Sequence, residues 1–409
     1  MRLRLAVLAG AAWLAGCSAL APAPGAASAP AAGVAQPRSV HIATLWRKNI
    51  AALGFSAAEW ADSPITNPGL VRWRMRGAYG DMGNSILRPA VLGGALYVAS
   101  ANGSLVRVDA ATGEQQWRVE TGIALTGGVG AGEGLVLVGG EKGQVLAYGE
   151  DGTLRWKTEA TSEVLGPPAV ANGIVVVRSE DGAIAGLDTA DGKRKWLYEH
   201  AMPVLMVRSS AGVAIRQGTL YAGFAGGKLV ALDLATGNVR WESTLSEPRG
   251  TTELERISDI TAVPQLDENA VCAVSYQGRV GCFGLADGNL LWSREFSSDK
   301  GLAVADKDLY VASVEGGISA FDKSNGSSAW KNAQLDKRHT AAPAVVGDYL
   351  VAGDKNGTVY AIRRDDGSIA ARMNTDGTPI LSQPLKVGDG VVVQTYAGGL
   401  YSIVLRPQD

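Results

Sequence analysis

A repeat constrains this chain more than any other feature. From Pro89 to Trp117 it reads PAVLGGALYVASANGSLVRVDAATGEQQW: a short apolar strand, a Gly-containing turn, an alternating strand, an Asp, a second turn closing on Thr-Gly, and a Trp four residues later. Counted back from the Trp, the unit returns as KGQVLAYGEDGTLRW, DGAIAGLDTADGKRKW, GKLVALDLATGNVRW, GRVGCFGLADGNLLW and GGISAFDKSNGSSAW. A unit of about 40 residues cannot bury its own apolar face and must stack on its neighbours, so the chain forms one repeat array.

The ends of the array decide its closure. Trp73, Trp117, Trp156, Trp196, Trp241, Trp292 and Trp330 fall in phase, and a further unit ends at Ala371, four residues after Gly367, without a Trp. The turn glycines Gly103, Gly143, Gly182, Gly227, Gly278, Gly317, Gly357 and Gly399 count the same eight units. Trp73, in LVRWRM, has no strands of its own upstream, and the last unit, VVVQTYAGGLYSIVL, has no Trp strand downstream. Each end supplies what the other lacks. An all-β, eight-bladed β-propeller of four-stranded antiparallel blades is therefore expected over 69–409, the N-terminal strand completing the last blade. Such a ring leaves only short, protected edges, whereas an open solenoid wants polar caps at both ends. The 53 Gly suit this reading, since hairpin turns need positive φ. The repeated Trp reads as a structural girdle between neighbouring sheets rather than a ligand box.

Most chemistry is excluded by what the chain lacks. Its three His, His41, His200 and His339, have no metal-ligand spacing to one another. There is no Gly-x-Ser-x-Gly elbow, phosphate loop or dinucleotide fingerprint. The recurrent Asp-Gly and Asn-Gly pairs are hairpin turn residues, and Asp354-Lys355-Asn356-Gly357 offers too few oxygens for a calcium loop. No metal and no cofactor is expected. A net charge of −2 without a basic tract gives no reason to expect nucleic acid.

Arg2 and Arg4 precede an apolar run, Leu5 to Leu14, that ends in Leu14-Ala15-Gly16-Cys17. That ending resembles the lipobox of bacterial lipoprotein signals. The resemblance implies a signal peptide over 1–16, acylation of Cys17 and, with Ser18 following, sorting to the outer membrane; an ordinary secretory signal with an incidental Cys is the alternative. Residues 17–39, rich in Ala and Pro, read as a flexible tether. Residues 40–68 form an N-terminal arm, extended or a short docked helix. Cys272 and Cys282 remain as an even pair in an oxidising compartment, flanking the turn at Gln277-Gly278. They read either as a cross-strand disulfide or as two small buried side chains.

The repeat resembles the propeller of pyrroloquinoline-quinone dehydrogenases, which share its Ala-x-Asp-x-x-x-Gly-x-x-x-Trp pattern. That family's adjacent Cys-Cys pair and calcium site have no counterpart here, so a quinoprotein oxidoreductase is only the alternative reading. A channel-binding propeller for polysaccharide or peptide lacks a supporting aromatic cluster at the strand starts. Function is expected where the repeat is interrupted, because extra residues in repeat proteins map to loops on a binding face. The two longest Trp-to-Trp intervals end at Trp241 and Trp292. They contain Met202-Pro203-Val204-Leu205-Met206-Val207-Arg208 and the charged stretch from Glu247 to Ile260.

With the lipobox, the tether and GTTELERISDITAVP at Gly250 to Pro264, these inserts resemble the lipoprotein-subunit family of the outer-membrane β-barrel assembly (BAM) machinery. The resemblance implies a non-enzymatic scaffold on the periplasmic face of the outer membrane, docking on the POTRA domains of the barrel subunit, BamA. Unfolded outer-membrane protein clients are a second expected partner, because exposed strand edges pair with incoming strands. The family's Pro-x-Leu-x-Leu-Arg pattern falls on Pro203, Leu205, Val207 and Arg208. Its Asp-x-Asp falls on Asp259 and, in place of the second Asp, Thr261. Leu205, Val207, Arg208 and Asp259 are thus the residues expected to meet the partner.

Overall fold

The computed structural model describes residues 39–49 and 86–408. Eight four-stranded sheets follow one another along the chain. β1 (Val40–Asn49) comes first, then β2 (Ala90–Leu92), β3 (Ala95–Ala99), β4 (Ser104–Asp109) and β5 (Gln115–Glu120), which form the first blade. The same order repeats as β6–β9 (125–159), β10–β13 (169–199), β14–β17 (214–244), β18–β21 (265–295), β22–β25 (302–332) and β26–β29 (344–374). The last sheet contains β30 (Leu385–Val387), β31 (Gly390–Gln394), β32 (Gly399–Pro407) and, antiparallel to β32, β1. This is the eight-bladed propeller that the repeat demands, closed by an N-terminal strand.

β1 takes the place beside β32 for which the sequence offered the strand around Trp73. Val40 pairs with Pro407 and Asn49 with Gly399, so the place beside β32 belongs to a segment that the sequence assigned to the arm. Trp46 stands where Trp73 was expected. Its Nε1 donates to the carbonyl of Ala110 at 3.1 Å and its ring lies against Gly113. Residues 1–38 and 50–85, Trp73 and Cys17 among them, lie outside the described residues.

The girdle has a simple mechanism. Each Trp packs on the next blade: Trp117 on Gly152, Trp156 on Gly192, Trp196 on Gly237, Trp241 on Gly288, Trp292 on Gly326 and Trp330 on Gly367. A Cβ at most of these glycines would run into the indole, and their φ near +70° to +80° already favours Gly. Each indole N–H also donates to a carbonyl of that next blade, as Trp196 does to Leu234 at 3.0 Å. The missing Trp at Ala371 follows from this. The last blade takes its outer strand from the N-terminus, so it has no hairpin glycine there for a Trp of the β26–β29 blade to cover.

Apolar alternation fills the spaces between blades. Leu96, Val98, Val106 and Val108 pack with Val392 and Leu400 across the closing seam, and Val271, Ala273 and Phe283 pack with Tyr221 and Leu229 further round. Burying one such side chain contributes about 1.5–3 kcal/mol. Cys272 and Cys282 face each other on β19 (Ala270–Val274) and β20 (Arg279–Gly284), and their sulfurs are bonded at 1.99 Å.

Candidate docking site

Antiparallel order within a blade sorts its connections onto two faces. The turns from first to second strand and from third to fourth emerge on one face. The turns from second to third strand, and the links to the next blade, emerge on the other. Both long inserts are links between blades. Residues 200–213 join β13 (Arg194–Glu199) to β14 (Ala214–Arg216), and residues 245–264 join β17 (Val239–Thr244) to β18 (Gln265–Leu266). They therefore share a face and flank the single blade β14–β17.

One carboxylate ties the inserts together. Asp259 Oδ2 accepts from the Val207 N–H at 2.7 Å, and its Oδ1 accepts from the Gly226 N–H at 3.0 Å. The first insert, the second insert and the intervening blade thus meet on one side chain, which is 3% exposed. Backbone N–H donors to a buried carboxylate satisfy it without a cation. Ser209 Oγ adds a bond to the Thr261 carbonyl at 2.8 Å, and the Ile260 N–H donates to the Phe224 carbonyl at 3.1 Å. Asp259 was expected to meet the partner. The structure places it inside, with both carboxylate oxygens bonded within the chain. Thr261, where the family pattern has a second Asp, is buried, and its hydroxyl has no partner within the structure.

Arg208 is anchored sideways. One of its terminal nitrogens contacts both oxygens of Glu163 at 2.7 Å, and Glu163 sits in the preceding link between blades. Burial, first, and the nearby Glu180 and Glu141 carboxyls raise the Glu163 pKa against the pull of Arg208. Arg208 remains 43% exposed, so the pair fixes its direction and still leaves part of the guanidinium to solvent. With Arg208 more than a third exposed, solvent screening holds the stabilisation from the pair to about 1 kcal/mol or less. Under the loops, Arg178 lies over the Phe224 ring, its centre 4.8 Å away, and burial lowers its pKa to about 10. His200 stacks on Phe224 at 4.2 Å, and burial lowers its pKa too.

The tips carry apolar side chains into water. Val204 is 100% exposed, Leu205 44% and Leu254 66%. The turn bearing Leu254 is held from within: Glu255 accepts from the N–H groups of Thr251 at 2.8 Å and Thr252 at 3.1 Å, which, Thr252 first, lower its pKa. Loops presenting apolar anchors beside an Arg have the composition of interface hot spots. Of the residues expected here, the structure places Leu205 and Arg208 at the surface, Val207 half-buried and Asp259 inside. Val204 and Leu254 were missed although both are apolar residues in irregular stretches. Glu163 gave no sequence signal, since its contact with Arg208 spans 45 residues.

No group of three His, Cys, Asp or Glu that could hold a metal ion occurs among the described residues. Nor is any helix among them long and apolar enough to cross a membrane.

The ring and its paired loops define an eight-bladed propeller with two long inter-blade inserts on one face. A quinohemoprotein alcohol dehydrogenase from Comamonas testosteroni shares the fold alone, with a TM-score of 0.67 at 13% identity over 89% of this chain and 76% of that one. The BamB crystal structure from Moraxella catarrhalis matches with a TM-score of 0.74 at 27% identity, covering 78% of this chain and 97% of that one. The outer membrane protein assembly factor BamB of Nitrosomonas eutropha is 45% identical over 323 residues, 79% of each chain. The family model described as outer membrane protein assembly factor BamB matches residues 65–123, 101–332 and 315–405. The chain belongs to the BamB family. That match begins at residue 65, so it takes in Trp73 and leaves β1 outside.

Proposed function

We propose that this protein is a non-catalytic scaffold of the outer-membrane β-barrel assembly complex, docking on POTRA domains of BamA through its two inserts. The observation that carries the reading is the joining of both inserts by Asp259 on one face, with Val204, Leu205 and Leu254 left in solvent. Its relatives are named assembly factors of the outer membrane. The mechanism is positional: a rigid ring holds two loops in fixed relation, so little loop entropy is lost on binding. Arg208, half in solvent, sets register and specificity more than raw affinity. Lipidation of Cys17 tethers the ring at the periplasmic face of the outer membrane, and several acyl chains on one residue anchor stably.

The test is co-purification. Leu205→Ala and Arg208→Ala should each weaken recovery of BamA while the melting temperature stays within about a degree of wild type. Wild-type recovery in both variants would remove the inserts from the interface. Loss of radiolabelled palmitate from a Cys17→Ala chain tests the anchor separately.

A further inference from the structure

The inner strands enclose a central channel, and its wall is not uniform. Along the consecutive blades from β18–β21 round past the closing seam to the first blade lies a cavity of about 640 Å³, bounded by Arg88, Gln265, Asp306, Arg364, Gln383 and Lys386 among others. Arg88 lies two residues before β2. The corresponding position in other blades holds Gly128, Pro167, Gly212 or Gln383, as the strand registers show. Lys386 takes the place held by Val91, Val170, Ile215 and Val345 elsewhere. At these two levels the eightfold repeat is otherwise small, apolar or amide, and both exceptions are cations on adjacent blades.

Neither cation has an opposite charge of its own. Arg364 Nε donates to the Tyr310 hydroxyl at 3.1 Å and Nη1 to the Gly347 carbonyl at 2.8 Å, and the carboxylates of Asp306 and Asp308 act on it. Arg88 Nε is shut off from solvent without a hydrogen-bond partner, and Arg88 and Lys386 pair with no carboxylate among the described residues. The Arg88 backbone is fixed, its N–H on the Gly128 carbonyl at 2.8 Å and its carbonyl under the Val129 N–H at 2.7 Å. Arg88 and Lys386 both line the cavity without a counter-charge, and a bound anion supplies one through charge-assisted hydrogen bonds. Burial also lowers the Arg88 pKa, as expected of a cation lacking a counter-charge.

We propose that the channel binds a small anionic ligand through carboxylate or phosphate groups seated between Arg88 and Lys386. Gln265 and Gln383 add amide groups to the wall, and the cavity volume suits a small molecule rather than a folded segment. This site is separate from the docking loops.

Citrate and inorganic phosphate, titrated separately into the purified full chain at constant ionic strength set by sodium chloride, provide the test by calorimetry. At least one should bind saturably. Arg88→Gln and Lys386→Gln should each weaken that binding tenfold or more, and Leu205→Ala should leave it unchanged. Lys386 is exposed, so its variant decides the matter should the Arg88 variant fail to fold. No binding of either anion beyond chloride, or equal binding by the Lys386 variant, would overturn the proposal.

Discussion

At the scale of single residues, burial and hydrogen bonding redistribute the roles that a motif suggests. Arg208 and Asp259 fall in two different family patterns, one in each insert, and the structure puts Asp259 inside and leaves Arg208 part-exposed at the surface. Asp259→Ala strands the Val207 and Gly226 N–H groups, each a loss of about 1–3 kcal/mol where no water replaces the acceptor. Faster hydrogen exchange at those two amides is expected, with weaker BamA recovery although the carboxylate never reaches the surface. Unaltered exchange at Val207 would show that the loops are held by other contacts. Glu163 makes a pH-dependent contribution whose sign follows from its raised pKa. The native state holds this proton more tightly than the unfolded chain. Stability therefore falls as pH rises from the ordinary carboxylate range through the native value, and levels off above it. Glu163→Gln should flatten that part of the curve of unfolding free energy against pH. An unchanged slope would assign it to other carboxylates.

At the scale of elements, the repeat explains itself once blades are seen in pairs. Gly and Trp recur together because the glycine of one blade makes room for the indole of the blade before it. That coupling is legible in the sequence as spacing, but its direction is not, since the two residues read as parts of one unit. The sheet also explains the cysteines. Cys272 and Cys282 are directly opposite on adjacent strands, with a sequence separation of 10 and both side chains buried. Closing so short a loop contributes roughly 2–3 kcal/mol through the unfolded state. Cys272→Ala/Cys282→Ala should lower the unfolding free energy from denaturant titration by that amount with an unchanged β-sheet spectrum. A double variant as stable as wild type would mean that packing alone holds the hairpin.

At the scale of the whole molecule, closure is the property on which the rest depends. β1 covers the edge of β32 and, as the outer strand of the last blade, packs Trp46 against Ala110 and Gly113 of the first blade. Deleting 39–49 should expose β32, lower the melting temperature by several degrees and favour association through the bare edge. An unchanged melting temperature would mean that another segment fills the place, and the stretch around Trp73, inside the matched family region, is the one the repeat pattern offers.

The sequence by itself determined the architecture. A repeat of strands, turns and Trp at fixed spacing admits only a stacked array, and eight units with complementary ends admit only a ring. It also located the two interruptions, because departures from a period are visible without coordinates. Only the tertiary structure decided which N-terminal strand seals the ring, that Asp259 lies inside while Val204 and Leu254 lie outside, and that Glu163 steadies Arg208. The physical reason is range. Period and alternation are local, fixed by residues a few positions apart, whereas closure, burial and ion pairing join residues tens to hundreds of positions apart whose proximity exists only after the blades have packed.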